Sequence, residues 1–512
     1  MARPINKWII ALTVMLPTLM VIIDTSVVNV SLDHIRGSLS AGVDESTWSI
    51  TSYLAANAVI IPMTGWLSRF FGRKRFLIIS VLLFTISSLL CGLAWNIQSL
   101  IFFRILQGLA GGSLQPISQS ILLETFPPAQ HGTAMAIFGM GTMFGPIMGP
   151  LLGGWITDNW SWHWIFFINI PIGIVSLAMS LWFISDPHYM KRTVTSIDYW
   201  GLTLLSIWVG CLQMVLDKGQ REDWFASDFI IVLTIIAIAA FVLFIFVELT
   251  AEHPIVDLKV FQSYSFVSGN IVMFFVLAGL FGSIILLPIY LQGLMGYTAS
   301  QAGMILGPGG LAIFLVMPIV GWLITVVNPK LIVAIGIVIF AYANYLMSGF
   351  NMSADFMAII WPRVVMSVGL GMVFIPLTTL SLSSVPKEEM GNATSVFGLV
   401  RNLGGSMGVA FAATMLSRGT QIHQAHLSEH ITSFNSGYWN AANQSAQLLS
   451  QQGMDPVAAQ QGGGAGVIYN ELLRQAYMLS FNDAFFVLAV MMICMLPFIL
   501  FMRHVDHSAA KP

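Results

Sequence analysis

Two charged residues interrupt apolar sequence in a way that could do chemistry. Asp24 lies within "LMVIIDTSVVNV" (19–30) and Arg104 within "LIFFRILQG" (100–108). Ionisable side chains in hydrocarbon are costly, so they pair, line a polar path or move protons. A carboxylate facing a guanidinium allows two chemistries. One is a structural ion pair locking two helices. The other is a protonation site, because burial favours the neutral acid while a neighbouring cation favours the carboxylate. Modest changes in wetting would then switch the proton on and off.

The elements that must position these residues follow from composition. The chain has 512 residues, 56% hydrophobic and 9% charged, with a mean hydropathy of +0.81. Soluble domains carry about 25% charged residues, so a water-soluble core-and-shell protein is excluded. The apolar runs suit helices crossing a bilayer of about 30 Å and lack the alternation of barrel strands. Fourteen spans are expected, near 8–32, 46–69, 75–95, 98–124, 131–155, 163–184, 199–217, 228–249, 266–291, 300–324, 330–349, 356–380, 390–416 and 480–502. With the N-terminus in the cytoplasm, thirteen of the 21 Lys and Arg fall in inner segments and five in outer ones. That bias is the positive-inside pattern, so both termini are expected inside and the long loop 417–479 outside. Span 1 then runs outward with Asp24 roughly 10–12 Å below its outer end, and span 4 runs inward with Arg104 roughly 9 Å deep. Opposite charges at similar depth predict a pair. The N-terminal run is read as a retained first span, because it carries Asp24 and lacks a small-residue cleavage site. Cys91, Cys211 and Cys494 all lie in apolar runs, so no disulfide framework is expected.

An internal repeat organises the spans. "IPMTGWLSRFFGRK" (61–74) aligns with "MPIVGWLITVVNPK" (317–330) at an offset of 256, pairing Gly65 with Gly321. At an offset of 259, Arg104 meets Arg363, Gly132 meets Gly391, Gly145 meets Gly404 and Gly149 meets Gly408. The expected fold is therefore an all-α membrane protein of two pseudo-symmetric six-helix bundles, 1–197 and 263–512, with two spans inserted over 198–262. Repeats of this kind place a transport site between rocking halves. Asp24 plus 256 is Leu280, so the second half has no matching acid. An architectural acid would be expected in both halves, whereas a coupling acid need exist only once.

Other polar or special positions are weaker candidates. Asn29, Gln115, Gln119 and Arg401 interrupt apolar spans and fit either a substrate cavity or interhelical hydrogen bonding. Gly141, Gly145, Pro146, Gly149 and Pro150 in "GMGTMFGPIMGPLLGG" (139–154) fit close helix approach with a proline-induced bend. "GWLSRFFGRKR" (65–75), with Gly65, Arg69, Gly72 and Arg73, reads as a cytoplasmic loop that fixes topology or latches onto helix C-termini. His423, His426 and His430 share metal-ligand spacing, but no acid or Cys completes a set, so solvated histidines and no metal are expected. The remainder of 417–479 reads as flexible or loosely helical, with Asp455 as an N-cap and Pro456 at the first helical position. It is either filler or a docking site for another protein. No P-loop, H-E-x-x-H or G-x-S-x-G pattern occurs, so no enzyme and no direct use of ATP are expected. No basic tract points to nucleic acid.

On these residues the chain resembles the major facilitator superfamily, specifically the fourteen-span drug:proton antiporters of EmrB/QacA type and, most nearly, the EmrB branch. "IDTSVVNVSL" (23–32) is similar to the span 1 motif at Asp24, Val27, Val28 and Asn29, departing at Ser31 and Asp33. "LIFFRILQG" matches the span 4 motif at Arg104, Gln107 and Gly108, and "GPIMGPLLGG" (145–154) resembles the antiporter motif with Pro150 in place of a glycine. "WHWIFFINIPIG" (162–173), "RNLGGSMG" (401–408) and the loop beginning "RGTQIHQAHLSEHI" (418–431) are similar to further stretches. The loop motif matches at Gly65, Gly72 and Arg73 but has Arg69 where many members carry Asp.

The resemblance implies an inner-membrane exporter of lipophilic small molecules with Arg104 assisting proton transfer. It also implies no cofactor beyond the proton gradient, and a periplasmic adaptor of EmrA type with an outer-membrane channel of TolC type as partners. The expected function is proton-driven multidrug efflux by alternating access. Export of one endogenous metabolite or fatty acid is the second reading, and a non-transporting receptor or scaffold the third.

Overall fold

A computed structural model describes residues 6–186, 198–251, 254–383, 385–429, 431–432 and 435–502. The first bundle comprises α1 (Lys7–Ser38), α2 (Val43–Phe71), α3 (Arg73–Gly92), α4 (Ile97–Gly111) continued by α5 (Leu114–Thr125), α6 (His131–Asn159), and α7 (Trp164–Phe167) continued by α8 (Asn169–Phe183). Two helices follow, α9 (Tyr199–Lys218) and α10 (Asp228–Thr250). The second bundle holds α11 (Tyr264–Ile289), α12 (Ala299–Leu323), α13 (Pro329–Met347), α14 (Phe356–Ser383) and α15 (Met390–Ser428). It closes with α16 (Ser436–Gln451), α17 (Pro456–Ala458), α18 (Gly464–Ile493) and α19 (Leu496–Leu500). Among the described residues there is no strand.

Thirteen helical stretches are long and apolar enough to cross a membrane. Between the fourth and fifth lies α6, with 29 residues and Asp158 as its sole Asp, Glu, Lys or Arg, which makes fourteen spans. The protein is an all-α, multi-pass membrane protein.

The repeat is visible in the packing. In the first bundle α1 packs on α6, α2 on α4, α3 on α4 and α3 on α8; in the second α11 packs on α15, α12 on α14, α13 on α14 and α13 on α18. The seam between bundles is symmetric as well, α2 against α15 and α12 against α6. Glycines set these distances. A Cβ on Gly145 would meet Ile22 Cγ2 at 2.1 Å and one on Gly149 would meet Ser26 Oγ at 2.1 Å; in the repeat, Gly408 would meet the Ala278 carbonyl oxygen at 2.1 Å. The glycine stripe thus lets α6 seat on α1, on either side of Asp24. The α9–α10 pair bridges the seam, since α9 touches both α2 and α15, with Gln213 Nε2 donating to Ser406 Oγ at 2.8 Å.

Two expectations about connections are corrected. Residues 65–75 are not a loop: α2 runs to Phe71, Gly72 alone turns the chain with φ 86°, and α3 starts at Arg73. Only glycine adopts that conformation without a steric cost. Much of the region 417–479 is ordered helix, because α15 continues to Ser428, α16 follows, and α18 begins at Gly464. A Cβ on Gly464 would lie 2.1 Å from the Ala442 carbonyl oxygen, so α18 packs directly on α16, and that packing orders a polar sequence. Within the segment Asp455 accepts from the Ala458 N–H at 3.0 Å with Pro456 at the first position, as its sequence predicts.

Candidate functional site

Asp24 sits mid-way along α1 and Arg104 two turns into α4, and they meet directly. Arg104 Nη1 donates to Asp24 Oδ2 at 2.6 Å. Asp24 is 0% and Arg104 1% exposed, so the pair is sealed from both sides of the bundle. Two residues that the charge pattern did not single out complete it. Gln107, one turn beyond Arg104, accepts from Arg104 Nη1 at 2.7 Å and donates through Nε2 to Asp24 Oδ1 at 2.9 Å. Asn169, at the start of α8, donates through Nδ2 to Asp24 Oδ1 at 2.8 Å and to Ser88 Oγ at 2.9 Å. Arg104 Nε donates to the Ser49 carbonyl at 3.1 Å, and its guanidinium stacks 4.0 Å from the Tyr53 ring. Gln107 stands in the motif match and Asn169 in "WHWIFFINIPIG", each the sole amide within its quoted apolar stretch; that isolation is the signal that could have found them.

Three donors from two elements converge on the two carboxylate oxygens. Movement of α4 or α8 against α1 would change which donors Asp24 meets, because each donor sits on a different helix from the acceptor. Asn169 Oδ1 is buried without a hydrogen-bond partner.

The second bundle carries a mirror of this site. Arg363 in α14 donates through Nη1 to Ser283 Oγ at 3.3 Å and approaches Met366 Sδ at 3.8 Å. Ser283, Arg363 and Met366 lie 259 residues after Asp24, Arg104 and Gln107. Ser283 therefore stands to Arg363 as Asp24 stands to Arg104. The glycine contacts follow another register, since Gly149 meets Ser26 whereas its repeat partner Gly408 meets Ala278. No acid occupies the equivalent place under either alignment.

The other predicted residues scatter. Gln115 on α5 accepts from Arg401 Nη2 on α15 across the seam, and the Arg401 guanidinium lies 5.7 Å from Phe138 and 5.8 Å from Phe374. Gln119 is buried against Met135 Sδ at 3.7 Å. Asn29 is exposed and does not join Asp24. Gly141 packs on Met15; Pro146 and Pro150 lie within α6. Gly65 abuts the second bundle, where an added Cβ would lie 2.8 Å from the Asn392 backbone; Gly321, its repeat partner, faces Gly132 and Ala136 equivalently, a Cβ there falling 2.8 Å from Ala136 Cβ. The basic ends of the bundles are closed by this symmetric pair of glycine contacts. Arg69 lies inside α2 with Nε buried and unpartnered. His423 pairs with Asp483 at 2.7 Å, an acid 60 residues away in sequence; His430 lies outside the described residues. All three cysteines are free.

Arg73 and Glu124 form a two-pronged ion pair joining α3 to α5, with side chains 4% and 8% exposed. Breaking a buried pair leaves a charge uncompensated. Glu124→Ala is expected to lower the melting temperature of the purified protein markedly, a loss of about 3 kcal/mol; an unchanged melting curve would contradict it.

Two repeated six-helix bundles closed along a seam, with an acid–arginine network buried in one of them, define the class of two-bundle membrane carriers. The chain belongs to the major facilitator superfamily, whose sequence profile matches residues 14–409. It is 37% identical to fatty acid resistance protein FarB of Neisseria gonorrhoeae over 98% of this chain and 96% of that protein. It is 36% identical to multidrug export protein EmrB of Escherichia coli K12 over 97% and 95%, so within the superfamily it is of EmrB type. The fold is shared with the proton:xylose symporter XylE at a TM-score of 0.58 and 14% identity, covering 96% of each chain.

Proposed function

We propose that the protein is a proton-driven exporter of lipophilic small molecules working by alternating access in the inner membrane. The carrying observation is the sealed Asp24–Arg104–Gln107–Asn169 network, present in one bundle and acid-free in the other. Asp24 releases its proton to the cytoplasm in one state and gains one from outside in the other. Each unit charge moved down the membrane potential supplies about 2.3 kcal/mol per 100 mV. With the basic end cytoplasmic, as the positive-inside pattern favours, the glycine contacts at Gly65 and Gly321 shut that side and the loop region 417–479 faces the periplasm. Similarity to multidrug export protein EmrB supports a broad set of drug-like solutes. Similarity to FarB favours, as the second reading, a narrower role in fatty acid export. The helices α15 to α18 beyond the membrane offer a firm surface that suits a periplasmic adaptor of EmrA type and, through it, a channel of TolC type. The energy source is the proton gradient, with no cofactor and no catalysed reaction.

Purified protein in liposomes tests the reading. An imposed pH gradient is expected to drive ethidium flux that collapses with a protonophore. Flux equal to protein-free vesicles for every drug tried would refute it.

A further inference from the structure

Among the described residues, the mirrored site in the second bundle has a cation without its anion. Where Arg104 faces a carboxylate at 2.6 Å, Arg363 faces only a hydroxyl, Ser283 Oγ, at 3.3 Å, and a thioether, Met366 Sδ, at 3.8 Å. Ser283 Oγ itself lies 3.3 Å from Met366 Sδ. Arg363 Nε is buried and has no hydrogen-bond partner. The side chain as a whole is only partly buried, unlike Arg104, so it is reachable from outside the packed core. Space has been left for it by a glycine: a Cβ at Gly309 of α12 would stand 3.0 Å from Arg363 Cγ and 2.9 Å from Ser367 Oγ. An unneutralised guanidinium within a membrane span is costly, and such residues mark substrate or ion paths when no protein acid meets them.

We propose that Arg363 and Ser283 form a binding subsite for the acidic head group of the transported solute, which supplies the anion that Asp24 supplies in the first bundle. The ligand class is an organic acid with one carboxylate on an apolar body. The guanidinium offers charge-assisted hydrogen bonds to the carboxylate, while Ser283 adds a neutral donor. The site rests on the exporter reading for its purpose, but its chemistry is independent of proton coupling. Arg104 cannot serve in this way because Asp24 already occupies it. One bundle therefore handles the proton and the other the anionic end of the solute.

The test is a binding measurement on the purified full-length protein in nanodiscs, with 11-(dansylamino)undecanoic acid and its primary amide as probes. They share a body and differ in charge. Wild-type protein is expected to bind the acid about tenfold or more tightly than the amide, the difference a charge-assisted hydrogen bond confers. Ser283→Asp places a carboxylate of the protein's own against Arg363 and is expected to erase that preference. Arg363→Gln is expected to erase it too, whereas Arg363→Lys retains part of it. If Ser283→Asp does not fold, the Gln and Lys pair decides the matter alone. Equal binding of acid and amide by wild type, or a preference that survives both Ser283→Asp and Arg363→Gln, overturns the proposal. Ethidium flux driven by a pH gradient separates this failure from failure of the exporter reading. Its absence from wild type would refute the exporter reading while the binding result stands on its own.

Discussion

Asp24→Asn is expected to reduce pH-gradient-driven efflux to the level of protein-free liposomes while leaving the protein folded in the membrane. The amide matches the carboxylate in shape, so α1 still seats between α6 and α8. Its oxygen can keep Arg104 Nη1 or one amide donor, but its NH2 group faces donors from Gln107 and Asn169 that a carboxylate would accept. More important, it cannot gain or lose a proton in the physiological range. The Arg104 charge is then fixed in one state of neutralisation, and the cycle step that needs a protonated acid has no substitute group in the second bundle, where Ser283 stands. Solute exchange without a pH gradient is expected to survive, because it requires no change in protonation. Measuring both in one preparation separates coupling from folding: retained coupled efflux would sink the assignment of Asp24, and loss of exchange as well would mark it as a structural lock.

The second large effect concerns the closed seam. Gly65→Leu is expected to shift the protein away from the state closed at its basic end. A side chain there has no room, since even a Cβ would lie 2.8 Å from the Asn392 Cα and N and 2.9 Å from the Gly391 carbonyl carbon. Those are backbone atoms, which cannot step aside as a side-chain tip can. Overpacking of this kind costs about 1–3 kcal/mol, which moves a two-state equilibrium about five- to 150-fold. Gly132→Leu is expected to act alike, because Gly132 meets Gly321 at the symmetric contact. Gly37→Leu is the control, having nothing within 4 Å. Spin labels at the exposed Arg75 and Lys387 would report the outcome as a longer distance distribution in both seam variants; an unchanged distribution would show that the seam does not set the state. Transport is expected to fall with it, since a carrier held on one side completes no cycle.

The sequence by itself determined the membrane class, the fourteen spans, the repeat and the pairing of Asp24 with Arg104. Each rests on one-dimensional information: run length against bilayer thickness, the fixed offset of glycines and prolines, and depth counted along two antiparallel helices. Tertiary structure alone decided which residues complete the site. Asn169 is 145 residues from Asp24 and reaches it only because α8 packs on α1. It also decided the order of the region 417–479, whose polar composition predicts looseness until α16 packs on α18. Most instructive is the place of Ser283. Offsets of 256 and 259 differ by three residues, close to the 3.6 of one helical turn, so an apolar helix with few markers looks nearly alike in either register. Only the three-dimensional contact shows that Ser283 is the residue facing the repeated arginine. The cation lacking its acid, from which the solute subsite is inferred, could be seen only after that choice was made in three dimensions.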